Sequence, residues 1–460
     1  LLLNQFHDIL PGSSIARVYE EANAALVDLQ NQATNIAQEA RDSMVLNEGG
    51  LTIFNSLSFP RTAIVPLPDS LSSGAVTADG VPCPVYNGYA LVEIPSVGHV
   101  SLLAGSGCPE VILSKARLLE GGGAELSNDI ITAVFNELGE ITSFVNHNGR
   151  EYVQSPMNRF MFFKDVPRKF DAWDIDSNYV HQQIPMEEDI QLEVICPEGL
   201  EASLFLTRKF GSSVIKQIIS LRTGSHRIDF ETEVAWFELH RLLKVSFPVK
   251  VLAEEALHEI QFGYISRPTH RSRAYDKDRF EVCNHRYTAL CDANHGCAIL
   301  NDSKYGISVN ACSMELTLLR ASAAPELRAD NGVHHFKYSF DAWEGPFIDS
   351  PVVKDGYDLN VPVTYADGWS PSFSAISLDA DNVILETLKY AEDKTGDLIL
   401  RLYESKKADT VFSLKINLPI KEARLCDMLE RAQEELMINE NVINLHTEPF
   451  QVITLRIKVV

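Results

Sequence analysis

The chain has 460 residues, more than one hydrophobic core usually encloses, so two to four domains are expected. Hydrophobic residues make up 45% and charged residues 22%, ordinary for a globular protein, and no apolar run approaches the roughly 20 residues that cross a bilayer. The balance of 40 basic against 63 acidic residues gives a net charge of −23; such a surface repels nucleic-acid phosphates and anionic lipid, so neither nucleic acid nor membrane is an expected partner and a neutral ligand such as a sugar is the easier one.

The first stretch reads LLLNQFHDILPGSS. It has no initiator Met and opens inside an apolar run, as expected of a chain preceded by further sequence, so a signal peptide cannot be judged from it. His7 and Asp8 sit side by side between apolar residues, just before the break at Pro11-Gly12. A neutral imidazole is a good ligand for a divalent metal, and a neighbouring carboxylate can ligate, orient or bind substrate. Taken alone, such a pair is more often a hydrogen-bonded surface or capping pair.

From Ser13 the pattern is helical. Ile15, Val18, Ala22, Leu26, Leu29, Ala33, Ile36 and Ala40 recur at three- and four-residue intervals and form one apolar stripe. Ser13 or Ser14 is expected to cap the first free amides. Such a helix needs packing partners, and these are expected outside the sequence shown. After Asn47-Glu48-Gly49-Gly50 the period becomes strand-like and stays so to ITLRIKVV. NDIITAVFNELGEITSFVNHNGREYV (128–153) reads as strand, Leu-Gly turn, strand and Asn-Gly hairpin turn; CDMLERAQEEL (426–436) is expected as a short helix. Many short strands over more than 300 residues predict a large antiparallel sandwich rather than a parallel sheet.

The eight cysteines are Cys83, Cys108, Cys196, Cys283, Cys291, Cys297, Cys312 and Cys426, with no C-x-x-C pair. Spacings of eight, six and fifteen between 283 and 312 match no zinc pattern, so buried free thiols and a reducing compartment are expected. In RFEVCNHRY, alternation places Arg279, Glu281 and Cys283 on one face, with an Arg279–Glu281 surface ion pair. His334 and His335, adjacent on a strand, point to opposite faces and serve packing or hydrogen bonding rather than one shared metal.

LLLNQFHDILPGSSI resembles the signature around a zinc-ligand histidine in glycoside hydrolase family 38, the α-mannosidases. HRLLKVSFPVKV (240–251), EIQFGYISRPTH (259–270), RFEVCNHRYTAL (279–290), ILNDSKYGISV (299–309), SMELTLLRASAAPE (313–326), ADNGVHHFKYSF (329–340) and KYAEDKTGDLILRLYES (389–405) resemble its cytosolic and bacterial subgroup. The resemblance implies a mainly β chain: a large antiparallel, galactose mutarotase-like supersandwich with smaller β domains, preceded by one helix of a three-helix bundle. It divides the chain into 1–46 (remnant of the middle helical bundle), 47–115 (small β domain), 116–350 (large sandwich) and 351–460 (C-terminal β region).

The resemblance further implies that His7 is a ligand of zinc, or of cobalt, in the intact enzyme, and that Asp8 hydrogen-bonds a mannose hydroxyl. In that family the β domain leans a loop into the cleft. DVPRKFDAWDID (165–176) is dense in acids and aromatics, which makes Asp171, Trp173 and Asp174 candidate substrate contacts, or else an aromatic anchor beneath a loop. Arg320 matches a position where relatives carry an arginine near the sugar; at a strand end it could instead pair with an acid such as Glu326. The barrel that holds the remaining metal ligands, the nucleophile and the acid is not in these residues. The expectation is the C-terminal portion of a retaining α-mannosidase acting on α-mannosides or oligosaccharides, inactive and metal-free by itself, cytoplasmic, partnered by its own N-terminal domain, and open to homo-oligomerisation. The rivals are a non-catalytic carbohydrate-binding or scaffold sandwich, a mutarotase-like epimerase, which leaves the QFHD element unexplained, and a metal phosphohydrolase, which needs more His/Asp ligands at helical spacing.

Overall fold

The computed structural model describes residues 1–186 and 189–459 and is mainly antiparallel β. Two compact units divide it. The first comprises residues 1–40, 112–256 and 267–344; the second comprises 41–111, 257–266 and 345–460.

The first unit is built on the period-two patterning of its strands. Ser213–Arg222 alternates buried and less buried positions along its whole length, as a strand with one face in a core must. In spatial order, one sheet runs Asp189–Cys196, Glu201–Phe210, Ser213–Arg222, Arg227–Trp236, Gly332–Glu344, His295–Asn301, Tyr287–Cys291. A second runs Gln183–Ile184, Arg159–Lys164, Arg241–Pro248, Ser313–Arg320, Gly306–Asn310, Val282–Cys283. Both contribute to one apolar cluster: Phe247 of the second sheet stacks on Phe340 of the first at 5.6 Å between ring centroids. One polar ring is buried with them. Gln217 donates to Thr232 Oγ1 (2.9 Å) and to the Tyr338 hydroxyl (2.7 Å), Tyr338 donates to Asn158 Oδ1 (2.7 Å), and Asn158 donates back to Gln217 (2.9 Å). Because these side chains satisfy one another, the ring adds register without an orphaned group.

A smaller sheet in this unit holds the expected hairpins. Ile131–Phe135 pairs with Ile141–Asn146, Asn146 then accepts the turn at Asn148-Gly149, and Gly149 takes φ 79°. That conformation has no Cβ penalty only in glycine.

The helix spans Ala16–Met44, and of its residues only Ala22 is buried; Ile15, Leu26, Leu29 and Ile36 of the apolar stripe are exposed. Its start corrects the expected serine caps. The amide of Ala16 donates to Glu326 Oε2 (3.0 Å) and that of Ser14 to the Tyr19 hydroxyl (2.8 Å), whereas both serine hydroxyls turn back to Asp8. A carboxylate suits this end because the unpaired amides there carry partial positive charge.

In the second unit, Thr364–Trp369, Asn47–Asn55, Gly98–Ala104 and Phe373–Ser374 form one sheet. Its C-terminal part packs Ile376–Leu378, Thr410–Ile416 and Val442–Thr447 with the sheet Val383–Tyr390, Leu398–Glu404, Val452–Val459, Ile420–Cys426, Ala432–Glu435 around a shared apolar cluster. The segment 426–436 is no helix. Asp427 Oδ1 takes the amides of Leu429 (2.9 Å) and Arg431 (3.0 Å), which closes a tight turn and pairs Cys426 with Ala432. A short acid that captures nearby amides competes directly with helix propagation. All eight cysteines are free, but burial holds only in part: Cys108 and Cys283 are exposed. No helix among the described residues is long and apolar enough to cross a membrane.

Candidate functional site

Asp8 organises the N-terminal segment. After the short 3-10 turn Leu2–Gln5, the amides of Ile9 and Leu10 both reach the carbonyl of Phe6 (2.9 and 3.1 Å), which sets His7 and Asp8 on a tight bend. The carbonyl of Asp8 accepts the Ser14 hydroxyl (2.9 Å) and the Tyr19 hydroxyl (3.0 Å), and its Oδ1 accepts Ser13 Oγ (3.2 Å). His7 lies on the Phe6 ring at 4.3 Å and 3.6 Å from Asp8 Oδ2, with its side chain 77% exposed against 42% for Asp8. The imidazole is thus held at its base and free at its edge. Among the described residues no group of three metal-competent side chains forms around it. His7 fits a divalent ion as one donor, and a zinc site needs three or four.

The second constellation surrounds the 165–182 loop, which leaves the strand Arg159–Lys164 at Asp165. Asp165, 3% exposed, receives Arg320 at 2.7 Å; the same guanidinium donates to the carbonyls of Asp171 (3.2 Å) and Asp174 (2.7 Å). Burial raises the Asp165 carboxyl above its ordinary range, and Arg320 opposes that shift. Arg320 therefore does pair with an acid, but with Asp165. Glu326, the acid expected from the sequence, goes to the helix start instead.

At the loop's tip the amides of Trp173 and Asp174 both reach the Phe170 carbonyl at 2.8 Å, while Trp173 stays 54% exposed. Asp174 is exposed and its Oδ1 accepts the amide of Ile175 (2.9 Å). Asp171 turns inward: Oδ2 accepts the Ala323 amide (2.7 Å) and lies 3.0 Å from His240 Nε2. The structure thus brings Asp171, Asp174 and Arg320 together, with Trp173 on the same turn. His7 and Asp8 form a separate group; the 320–326 segment touches both regions, through Ala323 at Asp171 and through Glu326 at the amide of Ala16.

A second anchor holds the far end of the loop. The Tyr179 hydroxyl donates to Glu281 (2.6 Å), Glu281 is ion-paired with Lys244, and Lys244 also donates to Thr317 (3.0 Å). Lys244 is fully buried, and desolvation keeps the Tyr179 hydroxyl protonated far above its ordinary value. The expected Arg279–Glu281 surface pair is therefore replaced. Arg279 lies instead over the Tyr275 ring at 5.5 Å, at the end of the short helix Ala274–Asp278, because the chain is not extended there. His334 Nε2 meets the Asp330 carbonyl at 2.6 Å and His335 lies 3.8 Å from Glu233, so the two histidines do have separate partners.

Sequence reasoning missed Asp165, His240 and Lys244. Only Lys244 left a local signal, a lone cation inside the apolar run LLKVSF. The partners of the other two are dozens of residues away.

Three sequence profiles match the chain: residues 1–44 match the "Alpha mannosidase middle domain", residues 126–328 the "Glycosyl hydrolases family 38 C-terminal domain", and residues 382–455 the family 38 "C-terminal beta sandwich domain". The chain belongs to glycoside hydrolase family 38. Within this family 38 chain, His7 and Asp8 fall in the middle-domain match, and the loop and Arg320 fall in the C-terminal-domain match. It is similar to human alpha-mannosidase 2C1 (35% identity over 99% of this chain) and to alpha-mannosidase G of Dictyostelium discoideum (28% over 99%). It spans 44% and 47% of the length of those relatives, respectively. Its fold matches that of a solved alpha-mannosidase from Enterococcus faecalis V583, with a TM-score of 0.76, 17% identity and coverage of 99% of this chain and 62% of that one.

Proposed function

We propose that this chain is the middle and C-terminal part of a retaining α-mannosidase that removes terminal α-D-mannosyl groups from mannosides or glycans. The observation that carries this reading is the 35% identity to an α-mannosidase along 99% of the chain, with the histidine-aspartate bend inside the matched span. In this reading His7 donates one imidazole nitrogen to a zinc or cobalt ion whose other ligands come from outside these residues. Such an ion, when bound, supplies Lewis-acid stabilisation of the sugar's oxygens. Asp8, fixed by Ser13, Ser14 and Tyr19, accepts one sugar hydroxyl in a charge-assisted hydrogen bond. Trp173 offers a flat apolar face and Asp174 an acceptor, while Asp171, turned inward onto Ala323 and His240, and Arg320, tied to Asp165, hold the loop that carries them.

Retention requires two carboxyl groups roughly 5–5.5 Å apart across the scissile bond. We assign neither to these residues, so the isolated chain is inactive. The exposed apolar stripe of the Ala16–Met44 helix then meets the enzyme's own upstream domain, and eight free cysteines accord with a cytoplasmic, reducing location.

In the protein carrying its upstream sequence, His7→Ala is expected to lower kcat/KM for p-nitrophenyl α-D-mannopyranoside by roughly 100-fold or more. Chelation should abolish the wild-type rate, and zinc or cobalt should restore it. Undiminished turnover by the His7→Ala enzyme contradicts the assignment.

A further inference from the structure

One stretch of the sandwich unit runs against the charge of the whole chain. Residues 267–286 carry six Arg or Lys against three acids, in a protein of net charge −23. Two of the three acids are already committed. Asp276 takes Arg273 in a two-point pair (2.8 and 3.0 Å), and Glu281 takes the buried Lys244, which lies outside the stretch. The third, Asp278, forms no ion pair among the described residues, and neither do Arg267 and Arg279. These two guanidiniums lie near enough to repel each other. Arg267 is half-buried and donates to the Cys283 carbonyl (3.2 Å), and Arg279 lies over the Tyr275 ring at 5.5 Å. Burial lowers the Arg267 pKa, the neighbouring Cys283 opposes that shift, and the charge of Arg279 adds to it. Like charges meeting in partly desolvated space, with no carboxylate to balance them, make an unfavourable contact that a bound anion would relieve. Arg279, Tyr275 and Cys283 are exposed, so the place is open to solvent.

We infer that Arg267 and Arg279 form a binding site for a phosphate dianion, either free or carried by a sugar. A planar guanidinium fork matches phosphate oxygens two at a time, which an ammonium does not, and two guanidiniums balance the dianion's charge. Tyr275 steadies Arg279 through a cation–π contact, so that fork is held in place before the anion arrives. A small anion senses mainly the charges within about 8 Å at physiological ionic strength, so the distant acids that repel a nucleic acid weigh little here. The site uses none of the residues assigned above to sugar or metal, and it stands whether or not the mannosidase reading does.

Cys283, exposed and beside Arg267, is the reporter in the protein carrying its upstream sequence, and exposed Cys108 is the internal reference. Iodoacetate is an anion and iodoacetamide is neutral. The ratio of their alkylation rates, read by mass spectrometry, should be several-fold higher at Cys283 than at Cys108. Millimolar inorganic phosphate should slow iodoacetate at Cys283 saturably, whereas sodium chloride of equal ionic strength should slow it far less. Arg279→Gln, at an exposed position, should weaken the phosphate affinity read by calorimetry about 10-fold or more. Arg279→Lys keeps the charge without the fork and should recover only part of that loss. Lys421→Gln, which removes an exposed lysine from the other unit, should leave the affinity unchanged. Tighter binding of mannose 6-phosphate than of inorganic phosphate identifies a phosphorylated sugar as the ligand, and equal binding identifies free phosphate; both uphold the site. Equal rate ratios at the two cysteines, protection no greater than that by sodium chloride, or an affinity undiminished in Arg279→Gln overturns the inference.

Discussion

Lys244→Met is expected to destabilise the sandwich unit by about 3–5 kcal/mol, the usual cost of leaving one member of a buried ion pair without its partner. Lys244 is fully buried on the strand Arg241–Pro248, and the side chain of Glu281 is only 13% exposed. Removing the ammonium leaves the mostly buried Glu281 carboxylate with the Tyr179 and Thr317 hydroxyls and no cation. The second substitution in Lys244→Met/Glu281→Gln removes that charge and keeps an acceptor for the Tyr179 hydroxyl, so the double variant should regain at least half of the loss. Urea unfolding followed by tryptophan fluorescence reads this through Trp236, which is buried in the same unit's core. A single-variant loss below about 1 kcal/mol, the value typical of exposed pairs, contradicts the assignment. The consequence reaches the loop, because Tyr179 is its far anchor.

Arg320→Met attacks the near anchor and carries a pH signature. At neutral pH it should cost about 3 kcal/mol, because Asp165 is left buried without a cation. The Asp165 carboxyl already lies above its ordinary 3.8 through burial, with Arg320 the largest opposing influence. A carboxyl raised in the native state holds its proton more tightly than the unfolded chain does. Its contribution to stability is therefore full below about 3.8 and is lost as pH rises through the native value. Without Arg320 that native value climbs further, so the deficit of the variant should be smallest in mild acid and should grow toward pH 8. Urea midpoints at pH 5 and pH 8 check the sign. A deficit that shrinks as pH rises refutes the pairing of Asp165 with Arg320 as the source of the effect.

How much of this was legible beforehand follows from where each interaction lies along the chain. The strands were readable because one face of each is buried, so apolar and polar residues alternate, as in Ser213–Arg222. The 128–153 hairpins were readable because their turn residues are local. The helix at 426–436 misread a local competitor, since Asp427 takes the amides that a helix would have needed. The serine caps failed for the opposite reason: Glu326, 310 residues away, reaches the helix start, and Asp8 claims both hydroxyls. Acid density and a tryptophan marked 165–176 as a candidate site, and resemblance marked Arg320. What ties them together did not show, because Asp165–Arg320 and Asp171–His240 join residues 155 and 69 positions apart. Lys244 alone announced a hidden partner, as a charge in an apolar run.

We propose that these residues complete an α-mannosidase without containing its reacting carboxyls. Release of p-nitrophenol from p-nitrophenyl α-D-mannopyranoside, compared between this 460-residue chain and the same chain joined to its upstream sequence, tests it most directly. Turnover is expected in the longer protein, with the α-anomer of mannose released first, and none above background in the shorter one. Comparable turnover by the 460 residues alone would contradict it.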